Sequence, residues 1–169
     1  MAPMATPEID AAPAASPQWS RAILWGGLVA GVLDISGAIV TWLPRGSTVG
    51  RIFQSVAGGL LGRATYEGGF ATMALGAFLH FFIATTAAAT YVAASSKMPV
   101  LVRRAVPCGM AFGVAVYLFM NYVVLPLSAF PSRSSAFALS VFLHGVTGHA
   151  FLVGLPIALL NRRFTRSRA

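Results

Sequence analysis

Four long apolar runs, with one charged side chain among them, decide what this chain can fold into. Residues 69–94, 105–127 and 136–160 contain no Asp, Glu, Lys or Arg, and residues 22–43 contain only Asp34. Each run is long enough for an α-helix to cross a hydrocarbon core about 30 Å thick, which takes roughly 20 residues. We therefore predict an all-α fold, a four-helix transmembrane bundle.

The composition agrees with this prediction. Charged residues make up 9% of the chain and hydrophobic residues 57%, whereas a soluble domain has about 25% charged residues. The first 20 residues are rich in Ala and Pro and contain no apolar run, so we predict a disordered tail. Residues 21–161 then form a single four-span domain, followed by a basic cytoplasmic tail over 162–169.

The net charge of +8 does not indicate a nucleic-acid partner, because the basic residues flank the predicted spans. Eight of the 12 Lys and Arg residues fall on the side of the two termini, and four fall on the other side. Cytoplasmic loops of membrane proteins collect Lys and Arg. We therefore expect both termini to be cytoplasmic, with the lipid bilayer as the main partner of the chain.

The loop between the first two spans has a pattern of its own. Over residues 49–64 the apolar and polar side chains fall on different faces of a helix. The apolar face holds Ile52, Phe53, Val56, Leu60 and Leu61, and the polar face holds Arg51, Gln54, Ser55 and Arg63. We predict an amphipathic helix in the outer membrane interface. It either seals the bundle or acts as a lid over a cavity.

Polar residues recur on the faces of the spans that should pack against protein. Small residues at three- and four-residue spacing mark those faces, because they let another helix approach closely. Asp34 lies on such a face, together with Gly27 and Gly31. Counted from the outer span ends, most of these polar residues have similar depths, with Asn121 nearer the surface and His149 deeper. We predict one intramembrane polar site formed by Asp34, His80, Tyr117, Asn121, His144 and His149.

Three hypotheses follow for this polar site. An ionised Asp in lipid costs several kcal/mol, and intramembrane carboxylate and imidazole groups are typical of proton relays. The protein could therefore move protons or a small solute. His80 and His144 could instead be ligands of a metal or haem held between helices. In the third hypothesis, the polar residues only form hydrogen bonds between helices and fix their register.

Catalysis is the least supported class. The sequence has no HExxH or GxSxG motif, so we predict that the protein is not an enzyme. Cys108 is the only cysteine, which excludes an internal disulfide. The sequence identifies no particular cofactor. The alternative function is a non-catalytic accessory or scaffold subunit of a larger membrane complex. Because four short spans enclose little room, a transport path would favour a homo-oligomer.

Four segments carry a resemblance to a known group of proteins. They are GVLDISGAIVTWLPRG, RIFQSVAGGLLG, LGAFLHFFIA and AVYLFMNYVVLPLSAFP. Over about residues 22–162 the chain resembles a family of four-span bacterial inner-membrane proteins. It has a looser likeness to YagU-type membrane proteins, in span order and in a helix-borne His. The resemblance implies a bacterial cytoplasmic membrane, and it implies no activity and no site residue.

Overall fold

Four helices of the chain are long and apolar enough to cross a membrane. The structure is a computed structural model that describes residues 18–130 and 139–165. The helices extend over Trp19–Arg45, Gly69–Lys97, Ala105–Leu127 and Leu139–Thr165, and we call them spans one to four. The described residues are helical apart from short turns and contain no strand. The all-α fold and the number of spans are therefore as predicted.

Three of the four spans are not uniform α-helices. Span one is α1 (Trp19–Trp42) and a 3₁₀ turn (Leu43–Arg45), and span two is the single helix α3 (Gly69–Lys97). The connecting helices are α2 (Val49–Leu61), which continues into a 3₁₀ segment (Gly62–Tyr66), and α4 (Val100–Arg103). Span three is α5 (Ala105–Phe119), a π-helical segment (Met120–Val124) and α6 (Leu125–Leu127). Span four is α7 (Leu139–Gly148), a π-helical segment (His149–Gly154) and α8 (Leu155–Thr165).

The span boundaries differ slightly from the predicted ones. Helix α1 begins at Trp19, so the last two residues of the predicted tail are helical. Helix α8 continues to Thr165 and includes two arginines that we assigned to the basic tail. The predicted tail residues 1–17 and 166–169, and the predicted first turn of span four at 136–138, lie outside the described residues.

Span one is central in the bundle. It packs against span two on one side and span four on the other, and span four also packs against span three. The backbone N–H of Gln18 donates to the carbonyl oxygen of Phe164 over 3.1 Å. The described chain therefore begins and ends at the same end of the bundle, which we call the terminal end. The opposite end, where α2 lies, is the α2 end.

The core is concentrated at the terminal end. Its fully buried apolar residues are Ala30, Ala88, Tyr91, Ala105, Val153, Ile157 and Ala158. Tyr91 of span two contacts Phe112 of span three edge-to-face, with ring centroids 5.0 Å apart. The Tyr91 hydroxyl also donates to the carbonyl of Leu101. Tyr91 thus joins span two to span three and to α4 at the terminal end.

Glycines bring spans three and four into backbone contact. A Cβ atom at Gly113 would lie 2.2 Å from the carbonyl oxygen of His149, and one at Gly154 would lie 2.0 Å from that of Gly109. The π-helical segment of span four is the part that makes these contacts. Close helix contacts in membranes depend on small side chains, and these glycines provide such a contact between spans three and four.

Helix α2 is present at the predicted position, but one of its faces was wrongly predicted. Gln54, placed on the polar outer face, is buried, because its amide donates to the Gly69 carbonyl and to the Thr72 hydroxyl, each over 3.2 Å. Leu60 and Leu61, on the predicted apolar face, are exposed. Hydrogen bonding to span two thus determines which face of α2 is covered. That α2 lies in a membrane interface remains a prediction.

Asn161 provides a test of how buried polar groups affect stability. Its side chain is completely buried, and neither its Nδ2 nor its Oδ1 has a hydrogen-bonding partner among the described residues. A buried amide without partners costs about 1–3 kcal/mol. We expect Asn161→Leu, which has a similar volume, to raise the unfolding free energy by about that amount, measured by SDS titration in mixed micelles. A loss of stability would mean that the amide has a partner in the folded protein.

Candidate functional site

A large cavity lies toward the α2 end, between spans one, two and three. Its volume is about 1070 Å³, near the upper end of the range for small-molecule sites, roughly 300–1000 Å³. Span one, α2 and span two form three of its walls, and the fourth is the end of span three, including its π-helical segment. Most of the lining side chains are apolar. The polar side chains that line it are Asp34, Ser47, Arg51, Ser55, Tyr66, His80 and Ser128.

Asp34 lines this cavity from the middle of span one. The residue is half-buried, and within residues 18–130 and 139–165 its carboxylate has no hydrogen bond and no ion pair. Its position follows from the packing of span one, in which Gly27 and Gly31 hold the backbone close to span two. The next turn of the same face carries Asp34. A carboxylate in mostly apolar surroundings is thus left without a neutralising group.

His80 lines the same cavity from span two. Its Nε2 atom lies 2.8 Å from the carbonyl oxygen of Gly31. Because a carbonyl can only accept, Nε2 carries the proton and donates. In the neutral ring, Nδ1 is then an acceptor. The structure thus brings Asp34 and His80 to one cavity. Gly31, to which His80 is hydrogen-bonded, precedes Asp34 by about one helical turn of span one. No hydrogen bond or ion pair joins Asp34 and His80.

Arg51 is the cationic residue of the cavity. It lies on α2, and its guanidinium carbon is 5.5 Å from the centre of the Tyr66 ring. Such a cation–π contact stabilises the charge by about 0.5–1 kcal/mol at an exposed site. Arg51 forms no ion pair with Asp34, although both line the cavity. The guanidinium is thus directed to the aromatic ring and leaves the carboxylate uncompensated.

His144 does not line this cavity and contacts span one at another position. Its Nε2 shares a hydrogen bond of 2.9 Å with the hydroxyl of Thr41 on span one. His80 is bonded at Gly31, ten residues earlier, which is about 15 Å along an α-helix. The prediction that His80 and His144 lie in one polar layer is therefore wrong, and they cannot ligate a common metal ion or haem iron in this arrangement.

The remaining three candidates form a third group, at the contact of spans three and four. The rings of Tyr117 and His149 meet edge-to-face, with centroids 5.1 Å apart, and the His149 Nδ1–H donates to the carbonyl of Gly145. The Asn121 amide donates to the carbonyl of Tyr117 over 2.9 Å. These hydrogen bonds to carbonyls of the preceding turn are local, and none of the three residues lines the cavity of the described chain.

Sequence reasoning missed two parts of the cavity. Arg51 was assigned to the polar face of the amphipathic helix and was not included among the candidate site residues, although that helix was considered as a lid over a cavity. The aromatic wall was also missed, because Trp42, Phe119 and Phe130 come from separate elements and share no spacing. Comparison of the chain with protein-family models, curated proteins and solved structures finds no match.

Proposed function

We propose that this protein moves a small solute across the bacterial cytoplasmic membrane and couples the movement to protons at Asp34. The observation that carries the proposal is the Asp34 carboxylate, which lines a cavity of about 1070 Å³ and has no partner among the described residues. The four apolar spans support a membrane location. The excess of basic residues beside the terminal end supports cytoplasmic termini.

The coupling between protons and solute follows from the free-energy cost of an ionised Asp34 side chain inside the membrane. An ionised Asp inside a membrane costs several kcal/mol unless a proton or another positive group neutralises it. With no internal cation paired to it, Asp34 has two ways to become neutral. It binds a proton from the water that enters the cavity, or it pairs with a positive group of the bound solute. When solute binds, the acid O–H gives its proton to water, so one binding event opposes the other.

The first prediction uses a pH step on reconstituted protein. Wild-type proteoliposomes on a solid-supported membrane should show a transient current when the external pH is lowered, because protons bind to Asp34 inside the membrane field. Asp34→Asn should abolish this current. No solute is needed for the measurement.

Glu67→Gln is the matched control. It makes the same carboxylate-to-amide change at the other acidic residue of the described chain, which is exposed and does not line the cavity. It should leave the current unchanged. A current of equal size in Asp34→Asn would contradict the proposal. So would an Asp34→Asn protein that loses its helical circular dichroism, because the carboxylate would then hold the fold together.

A further inference from the structure

We infer that the solute is a monovalent cation with an apolar, aromatic-sized body. The inference rests on the proposed function and specifies what the cavity binds. It depends on three properties of the described residues: the sign of the uncompensated charge, the chemistry of the walls and the volume of the cavity.

The uncompensated charge is negative. Asp34 is the acidic residue among the described residues that line the cavity. Arg51 keeps its positive charge, but its guanidinium lies over the Tyr66 ring and forms no ion pair with Asp34, and His80 donates its Nε2 proton to the Gly31 carbonyl. A cation that enters the cavity therefore finds a carboxylate that has no ion-pair partner among the described residues. Charge complementarity favours a cation.

The walls favour an apolar body around that charge. The surface is mostly apolar, and leucine, isoleucine, valine and methionine side chains from spans one, two and three and from α2 contribute to it. Four aromatic side chains, Trp42, Tyr66, Phe119 and Phe130, also line it. An aromatic face attracts a cation within about 6 Å of the ring centre. A strongly hydrated inorganic ion would gain nothing from such walls, while a large organic cation would bury its apolar surface there.

The volume sets the size of the solute. About 1070 Å³ is enough for a molecule of drug size. A compact cation such as tetramethylammonium would leave most of the walls uncovered. A cation that carries several rings would fill the cavity and contact Asp34 and the aromatic residues together.

Tetraphenylphosphonium is the probe for this inference. Its binding to the full chain in dodecyl maltoside is measured by equilibrium dialysis, with empty micelles as the background. We expect one saturable site per chain. Asp34→Asn should weaken binding at least about tenfold, and Glu67→Gln should leave it unchanged. Tetramethylammonium should not displace the probe at equal concentration.

Tetraphenylborate, which has nearly the same shape and the opposite charge, is measured separately. It should show no saturable binding. Leu79→Trp fills the cavity and keeps the carboxylate, so it should also abolish tetraphenylphosphonium binding. This variant tests the inference even if Asp34→Asn does not fold. The inference is overturned if tetraphenylborate binds as tightly as the cation, or if Leu79→Trp and Asp34→Asn both bind the cation like the wild type.

The two proposals fail in different ways. If the pH step gives an Asp34-dependent current but tetraphenylphosphonium does not bind, the solute class is wrong and the proton coupling stands. If neither the current nor the binding is observed, both proposals are wrong.

Discussion

Gly154→Ala should destabilise the protein by about 3 kcal/mol or more, although the same change usually strengthens a helix. A Cβ atom at Gly154 would lie 2.0 Å from the carbonyl oxygen of Gly109, and 2.4 and 2.7 Å from the backbone N and Cα of Gly113. These are backbone atoms, so no rotamer change relieves the overlap, and spans three and four must move apart. Overpacking of this kind costs about 1–3 kcal/mol and occasionally more. Packing between helices in lipid depends on such close contacts.

Gly148→Ala is the matched control on the same span. A Cβ atom there has no other atom within 4 Å, and Ala is favoured over Gly in a helix by about 1 kcal/mol. We expect this variant to be as stable as the wild type or slightly more stable. Unfolding free energies of both variants can be compared by SDS titration in mixed micelles, followed by circular dichroism. Equal stabilities for the two variants would show that the contact of spans three and four is not as close as described.

Gly76→Ala should detach α2 from span two. The added Cβ atom would lie 1.8 Å from the carbonyl oxygen of Phe53 and 2.5 Å from its carbonyl carbon, both in the backbone of α2. Moving α2 away would also separate Gln54 from Thr72, whose hydroxyl accepts its amide proton. We expect amide hydrogens of residues 49–61 to exchange about 100-fold faster, which corresponds to a local loss of about 2.7 kcal/mol. Hydrogen exchange with mass spectrometry in nanodiscs measures this.

A glycine of α2 itself provides the control for this experiment. At Gly59 the nearest atom to an added Cβ is the Cβ of Ser128 at 3.9 Å, an ordinary van der Waals contact. Gly59→Ala should leave the exchange of α2 at the wild-type rate. Because α2 forms one wall of the cavity, Gly76→Ala should also weaken tetraphenylphosphonium binding. Unchanged protection of α2 in Gly76→Ala would mean that α2 is held mainly by other contacts.

The sequence predicted which face of span one packs against other helices, but not which helices cover that face. Gly27 and Gly31 recur at helical spacing, and the structure places both of them against span two, with an added Cβ 2.5 Å from the Cα of Thr85 and 2.7 Å from the Phe81 ring. Residue spacing fixes a face of one helix, because the helical repeat is known. It does not say which neighbour covers that face. Gly37, on the same face, lies against Leu152 of span four instead.

The candidate site was also only partly predictable from the sequence. Asp34 and His80, which the sequence analysis grouped, both line one cavity. His144 was grouped with them by its distance from a span end, but its hydrogen bond to Thr41 places it about 15 Å away along span one. Depth counted from a span end ignores tilt, π-helical segments and relative shifts between neighbouring spans. Two of the four spans contain such a π-helical segment.

The sequence by itself determined the number and type of the elements. Four apolar runs, each long enough to span a membrane and interrupted by a charge only at Asp34, predict helices, because a helix pairs its own backbone polar groups within the segment. It also placed Asp34 on the face of span one that carries Gly27 and Gly31. Only the tertiary structure decided that spans two and three separate toward the α2 end and leave a cavity there, and that Arg51 turns to Tyr66. Those outcomes depend on contacts between residues that are distant in sequence, and the local residue pattern does not specify which helices pack against each other.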